Sequence, residues 1–436
     1  MTVSRNPLDV VRDRGFVQDV TDLEALHRLF GTERVTFYTG FDPSAPSLHT
    51  GHLVPIMLMA WLQRLGHRPI VVMGGATGRI GDPSGREVER ALLPEHVLAE
   101  NLGRQRKQLA HLLELTQPRQ GLLLDNLDWL GRLAFLDFLR DVGKNFSVNQ
   151  MLARDSVRRR LEQREQGISY TEFSYQLLQA YDFAHLYATE GCRLQLGGSD
   201  QWGNILSGIE LTRRLHGGEV YGLTTSLLLD AQGQKFGKSV GRPVWLDPAL
   251  TSPYAYYQSW INSHDDDVVR FLRLFTFLSE QEIDELARRH GQDPGTRWAQ
   301  RRLAEECTRI VHGDEGLREA QRATTILFRD EPFRGLDDQV LAEAFEIAPS
   351  VELSRARLEH GIGVLELLVE AGAAPSVSEA RRLVRQGGVY LNNVRVDDEQ
   401  RVVVTDDLAS PTTIVLRVGK KRYFLARFRS WAADSR

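Results

Sequence analysis

The chain has 436 residues, 42% of them apolar and 26% charged, with a formal charge of −4 and two cysteines. That length suggests roughly three domains of about 150 residues each, and the composition is that of an ordinary globular protein. It excludes a membrane-spanning chain, since no stretch approaches the roughly 18 uncharged apolar residues a spanning helix needs, and a zinc-built one, since Cys192 and Cys307 stand alone and far apart.

Residues 1–250 alternate apolar strands with helical patterns, which predicts parallel α/β architecture. The expected strands are 34–41, 69–74, 121–125, 192–197 and 222–229. The first is rich in β-branched and aromatic residues and leads into turn chemistry at Asp42-Pro43-Ser44-Ala45-Pro46-Ser47. From Gly51 a mostly apolar run to Gly66 predicts a helix, placing His49 and His52 at its N-terminus. Free backbone donors and the helix dipole favour phosphate there, and Gly51 offers close approach. On its own the string reads equally as two cap histidines on an ordinary crossover. Ligands in open parallel sheets bind beyond the C-terminal strand ends, and Tyr38 to Asp42, Gly74-Gly75 and Gly197-Gly198-Ser199-Asp200 all fall there.

The strand predicted at 222–229 is followed by Lys235-Phe236-Gly237-Lys238-Ser239, two lysines flanking a glycine. Lysine is a compact point charge suited to phosphate oxygens; the alternative is a solvated basic hairpin tip. Residues 251–345 turn helical, with a helix opened by Asp265-Asp266-Asp267, a second capped by a Ser279 to Glu282 box, and further helices at 296–312 and 315–328. Residues 346–360 read as a linker. Residues 361–436 read as a small α/β domain: a helix over 363–372, a second over 376–386, then hairpins at 389–396 and 414–428. The 61 residues from 376 on hold 12 Lys and Arg against 7 Asp and Glu, whereas the rest holds 42 against 51. A basic end on an acidic body suits a protein that touches nucleic acid with part of its surface.

The two distant strings together resemble the HIGH and KMSKS signatures of class I aminoacyl-tRNA synthetases. Tyr38-Thr39-Gly40-Phe41-Asp42, the run from Gly74 to Gly85, the run from Tyr175 to Asp182 and the run from Gln195 to Asn204 narrow the resemblance to the bacterial tyrosyl-tRNA synthetases, over nearly the whole chain. The resemblance implies a Rossmann-like parallel-sheet catalytic domain at 1–250 with an inserted helical region, an all-helical anticodon-side domain at 251–345, and an RNA-binding domain of the S-four class at 361–436. It implies adenylation of L-tyrosine by ATP, with Mg²⁺ accompanying the nucleotide and no zinc held by the protein, followed by transfer to a tyrosine tRNA. It further implies a cytoplasmic homodimer with no membrane role, and the sequence carries no apolar signal-peptide core near Met1.

Residue by residue, the resemblance assigns the phenol to Tyr38 and Asp182 and the amino group to Asp82, Tyr175, Gln179 and Gln201. Spacing alone puts Tyr175, Gln179 and Asp182 on one helix face. ATP falls to Asp42, Ser44, His49, Gly51, His52, Asp200, Lys235, Lys238 and Ser239, with Ser44, His49, His52, Lys235 and Lys238 stabilising the reacting phosphates. Arg154, Arg158, Arg213 and Arg214, and in the tail Arg381, Arg382 and Arg385, are the expected tRNA contacts. Two other readings fit part of the pattern: a tryptophan enzyme of the same fold, against which Tyr38, Asp182 and the basic tail speak, and a noncatalytic RNA-binding protein on the same scaffold, against which the intact phosphate-binding strings speak.

Overall fold

A computed structural model describes residues 5–84, 92–152, 157, 158, 161, 168–226, 229, 238, 239, 242–328, 331–419 and 422–430. These fall into two compact units, 1–250 with 259–311, and 251–258 with 312–436.

The first unit is built on six strands: β1 (Asp19–Val20), β2 (Thr36–Phe41), β3 (Arg68–Met73), β4 (Leu122–Asp125), β5 (Cys192–Gly198) and β6 (Tyr221–Thr225). Their order is β1-β6-β5-β2-β3-β4. All neighbours are parallel except β1, which runs antiparallel along β6. The five predicted strands are therefore present within a residue or two, although β6 stops at Thr225 and residues 227 and 228 lie outside the described ones. The two-residue β1 was not predicted; it is too short to carry an alternation signal. Ile70, Val71, Val72 and Met73 are all buried, the continuous apolar run expected of a strand covered on both faces. Chain order reverses direction between β2 and β5, so a crevice opens beyond the carboxyl ends of these two strands.

Three helices define that crevice. Leu53–Arg64 follows β2 and is mostly buried. Tyr170–Glu190 opens on a Ser169 side-chain cap and stops at Gly191, whose φ of 65° is left-handed and suits glycine. Trp202–His216 packs along it and stops at Gly217 in the same conformation. The helices predicted after Asp265-Asp266-Asp267 and after Ser279 are present as Val268–Phe275 and Glu280–Gln292, the latter with the reciprocal Ser279 and Glu282 cap.

The helices predicted at 296–312 and 315–328 form one span, Trp298–Phe328, broken at Gly313, where φ is 71°. The second unit begins at this break. Its five-stranded sheet runs Val394–Arg395, Val389–Leu391, Thr413–Val418, Arg422–Arg429, Ser350–Ser354. Both predicted hairpins are there; the first turns on Asn392 and Asn393 at φ 48° and 65°, the paired left-handed residues of a tight hairpin. The stretch 346–360 is not a bare linker. It supplies the edge strand Ser350–Ser354, parallel to Arg422–Arg429, and the helix Arg355–His360. Alternate sheet residues face opposite cores: Ile414, Leu416 and Phe424 meet Leu367 and Leu368, while Val415 and Leu425 meet Phe333, Leu336, Val340 and Leu341. Among the described residues no helix is long and apolar enough to cross a membrane.

Candidate active site

A cavity of about 530 Å³ lies at the carboxyl ends of β2, β5 and β6. Its walls bring together Tyr38, Asp42, Ser44, His49, Gly51, His52, Asp82, Tyr175, Gln179, Asp182, Asp200 and Gln201, predicted residues drawn from separate parts of the chain. Lys235 lies outside the described residues. Lys238 and Ser239 are described as backbone only; they form a two-residue strand, antiparallel to Arg242–Pro243, and Pro243 lines the cavity.

At one end the Tyr38 hydroxyl is buried with no hydrogen-bond partner among the described residues. Burial, and then the charge of Asp182, push its pKa well above the ordinary tyrosine value, so it is a proton donor. Asp182 is buried too, and desolvation raises its carboxyl to about 7. Two donors hold the rise in check: Asn126 Nδ2 at 3.1 Å and Trp129 Nε1 at 2.7 Å. The Trp129 ring stacks on His185 with centroids 4.6 Å apart. Nothing in the sequence singled out Trp129. Asn126 carried a signal that went unused, since it stands just past the end of β4.

A second polar cluster occupies the β5 side. Gln201 Nε2 donates to Asp82 Oδ2 at 2.6 Å, Gln179 Nε2 donates to Gln201 Oε1 at 3.1 Å, and Asn204 Nδ2 reaches Gln179, Gln201 and Ser84. Tyr175 donates to Asp42 Oδ2 at 2.9 Å, and Thr77 Oγ1 to Asp42 Oδ1 at 2.7 Å. Asp42, expected as a nucleotide ligand, thus has both oxygens engaged by protein. Asn126 Nδ2 also donates to Thr77 at 2.9 Å, so one chain of hydrogen bonds runs from Tyr175 to Asp182. Burial, followed by Asp42, Asp82 and Asp182, raises the Tyr175 pKa. No described lining residue is Lys or Arg. The four carboxylates that line the cavity, Asp42, Asp82, Asp182 and Asp200, favour a compact cation.

The turn between β2 and the buried helix carries the histidines. Thr50–His52 is a single 3₁₀ turn ahead of Leu53–Arg64. His49 Nδ1 accepts from the Gly51 N–H at 3.0 Å, and His52 Nδ1 accepts from the His49 N–H at 3.1 Å. An imidazole that accepts at Nδ1 and is neutral carries its proton on Nε2. The two rings lie 4.0 Å apart. Gly51 earns its place next to the ring: a Cβ there would stand 2.8 Å from His49 Cε1. The turn is held from outside by one face of the helix Glu95–Leu112. Asn101 Nδ2 donates to the Pro43 carbonyl, Gln105 Nε2 to that of Ala45, and Gln108 Oε1 accepts from the Leu48 N–H. Those three residues are spaced i, i+4, i+7 and form a polar stripe on one helix face.

None of the described arginines expected to meet tRNA lines the cavity. Arg213 and Arg214 share Glu210 at 2.8 and 2.6 Å, Arg382 pairs with Glu379, and Arg381 and Arg385 share Glu399. The tail patch is therefore partly neutralised by its own acids, which the spacing of the arginines did not foretell. Arg158 is exposed, and Arg154 lies outside the described residues.

The model of the class I tRNA synthetases (W and Y) matches residues 31–329, and that of a tyrosine--tRNA ligase SYY-like C-terminal domain matches 341–426. The chain belongs to the class I tRNA synthetases of this tryptophan and tyrosine group. Among curated proteins, a tyrosine--tRNA ligase of Roseiflexus castenholzii is 49% identical over 422 residues, with 96% of this chain and 99% of that protein covered. One of Bacteroides thetaiotaomicron is 46% identical with the same coverage. Among solved structures, a C-terminally truncated mitochondrial tyrosyl-tRNA synthetase of Aspergillus nidulans matches with a TM-score of 0.68 at 34% identity, covering 74% of this chain and 94% of that one.

Proposed function

We propose that the cavity seats L-tyrosine and ATP for the activity of a tyrosine–tRNA ligase. The tyrosine carboxylate attacks the α-phosphorus of ATP, a new C–O–P link forms, and the bond to pyrophosphate breaks. The terminal adenosine of the tRNA then attacks the acyl carbon through a ribose hydroxyl and AMP leaves. Such a reaction asks for placement and charge stabilisation more than for proton transfer.

Tyr38 donates to the phenol oxygen while Asp182 accepts the phenol proton. Asp82, Tyr175, Gln179 and Gln201 hold the ammonium group. The Nε2–H groups of His49 and His52, with Ser44, face the nucleotide phosphates, Gly51 and Asp200 complete its seat, and Lys235, Lys238 and Ser239 take the pyrophosphate. Mg²⁺ accompanies ATP. Residues 361–436 act as an RNA-binding domain of the S-four class, with Arg381, Arg382 and Arg385 on its surface, and 251–345 lies on the anticodon side. Arg154, Arg158, Arg213 and Arg214 serve the acceptor end. The chain works in the cytoplasm as a homodimer, and Phe135, Leu136 and Val148 are exposed apolar side chains that a partner could cover.

The observation that carries this reading is the buried Tyr38 hydroxyl, without a described partner, set beside an Asp182 that two side chains hold in place. A buried donor left unmatched is costly, and a phenol matches it and the carboxylate at once. The test is charging of total tRNA with each of the twenty amino acids. Tyrosine alone should be attached, and attachment of another amino acid in its place would refute the assignment.

A further inference from the structure

The histidine turn does not stand alone. The segment that follows Arg242–Pro243 lies antiparallel against it. Thr50 N donates to the Val244 carbonyl at 3.0 Å, Leu246 N donates to the Leu48 carbonyl at 2.8 Å, and His49 and Trp245 form the bridge pair between them. One residue further on, Asp247 N donates to Ser47 Oγ at 3.2 Å. Ser47 is fully buried, and the same oxygen accepts from Gln108 Nε2 at 2.9 Å. Three hydrogen bonds therefore fix residues 244–247 to residues 47–50, with His49 and Trp245 as the pair between the first two.

Side chains repeat the arrangement. The Trp245 ring meets the His49 ring at 6.1 Å and 62°, His49 meets His52 at 4.0 Å, and His52 meets Phe41 at 6.5 Å. The two imidazoles lie inside a row of rings closed by Trp245 at one end and by Phe41, from the end of β2, at the other. Aromatic pairs at such distances and tilts add directional attraction beyond area burial. The hydrogen bonds at Nδ1 and the neighbouring rings both restrain the imidazoles about χ1 and χ2. Trp245 is the ring that meets His49 from the segment following Arg242–Pro243.

We infer that Trp245 is a positioning residue for adenylation: it fixes the His49 ring against the nucleotide and ties that ring to the backbone leading from Lys238. Lys238–Ser239 pairs with Arg242–Pro243, and Val244 alone separates that pair from Trp245. The inference rests on the reading of His49 as a nucleotide contact. Misplacement of a reacting group by about 1 Å costs on the order of 10²-fold in rate, so the loss of a ring that sets His49 should fall on the rate of adenylation and spare tyrosine binding, whose residues include none of the rings in that row.

The experiment measures tyrosine-dependent ATP–pyrophosphate exchange, with tyrosine affinity determined separately by equilibrium binding, for Trp245→Ala, Trp245→Phe, His49→Ala and the His49→Ala/Trp245→Ala double variant. Trp245→Ala should lower kcat by about 10–10²-fold with tyrosine affinity within twofold of the parent, and Trp245→Phe should restore most of the rate. In the His49→Ala background the second substitution should cost little more, because the two residues act as a unit. Full additivity, or a parent-like rate for Trp245→Ala, would overturn the inference and leave the reading of His49 intact. A parent-like rate for His49→Ala would overturn that reading as well. If Trp245→Ala also loses tyrosine binding, Trp245→Leu keeps apolar bulk without a ring. Its reduced rate at normal tyrosine affinity supports the role, and a normal rate removes it.

Discussion

At the scale of residues, the proposed seat for the phenol makes discrimination turn on how Tyr38 and Asp182 are desolvated. Replacing Tyr38 by Phe deletes one hydrogen bond and only the volume of the hydroxyl. A neutral bond is worth about 1 kcal/mol, so the preference for tyrosine over phenylalanine should fall by roughly 5- to 10-fold, read as a ratio of kcat/KM values in pyrophosphate exchange. Asp182 makes a pH prediction. Its carboxyl is raised to about 7 by burial, while a phenol donor and a nearby ammonium both favour the ionised form. Tyrosine binding near pH 6 should therefore release protons. Calorimetry in buffers of different ionisation enthalpy checks this; proton uptake would contradict it. The sign for stability follows from the same shift. A raised acid binds more protons folded than unfolded between about pH 4 and 7, so its contribution declines as pH rises through that window and is lost above it. Asp182→Asn should remove that decline, which is at most about 4 kcal/mol, as seen by comparing the pH profiles of unfolding of the two proteins.

At the scale of elements, what matters is how each strand end presents its loop. Gly74, just past β3, faces Asp42: a Cβ there would lie 2.0 Å from Asp42 Oδ1 and 2.6 Å from Thr77 Oγ1. Gly74→Ala should push the Asp42 carboxylate away, release Tyr175 and break the chain of hydrogen bonds to Asn126. Exchange activity should drop by about tenfold or more while circular dichroism stays that of the parent; an active variant would show the network to be slack. This scale also marks how far the sequence could be read. β2 to β6 were legible because parallel buried strands are long apolar runs. The residues of Tyr170–Glu190 that face the cavity were legible from an i, i+4, i+7 spacing. Asn126, Trp129 and the Asn101, Gln105 and Gln108 stripe were not, since each acts on a partner more than 50 residues away. The strand Ser350–Ser354 was missed because Pro349 and the charges after it look like a break, and only the neighbouring Arg422–Arg429 makes it a strand.

At the scale of the whole molecule, every described residue lining the cavity belongs to the first unit. Deleting residues 346–436 should leave adenylate formation within about twofold and abolish tRNA charging. It should also bare Phe333, Leu336, Val340 and Leu341, which the tail's sheet covers, so the shortened chain should self-associate as its concentration rises. Normal charging by the truncated chain would remove the RNA role from the tail. The charge asymmetry of the sequence pointed to that role, although Glu379 and Glu399 temper it locally.

The central proposal is that one cavity seats both the phenol of tyrosine and the nucleotide. ATP–pyrophosphate exchange driven in turn by tyrosine, phenylalanine and tryptophan tests it most directly. Tyrosine should support exchange, tryptophan should not, and phenylalanine should be disfavoured by about 10⁴–10⁵, a magnitude taken over from tyrosine enzymes themselves, which are its standard case. Comparable exchange with phenylalanine, or exchange with tryptophan in place of tyrosine, would contradict the account.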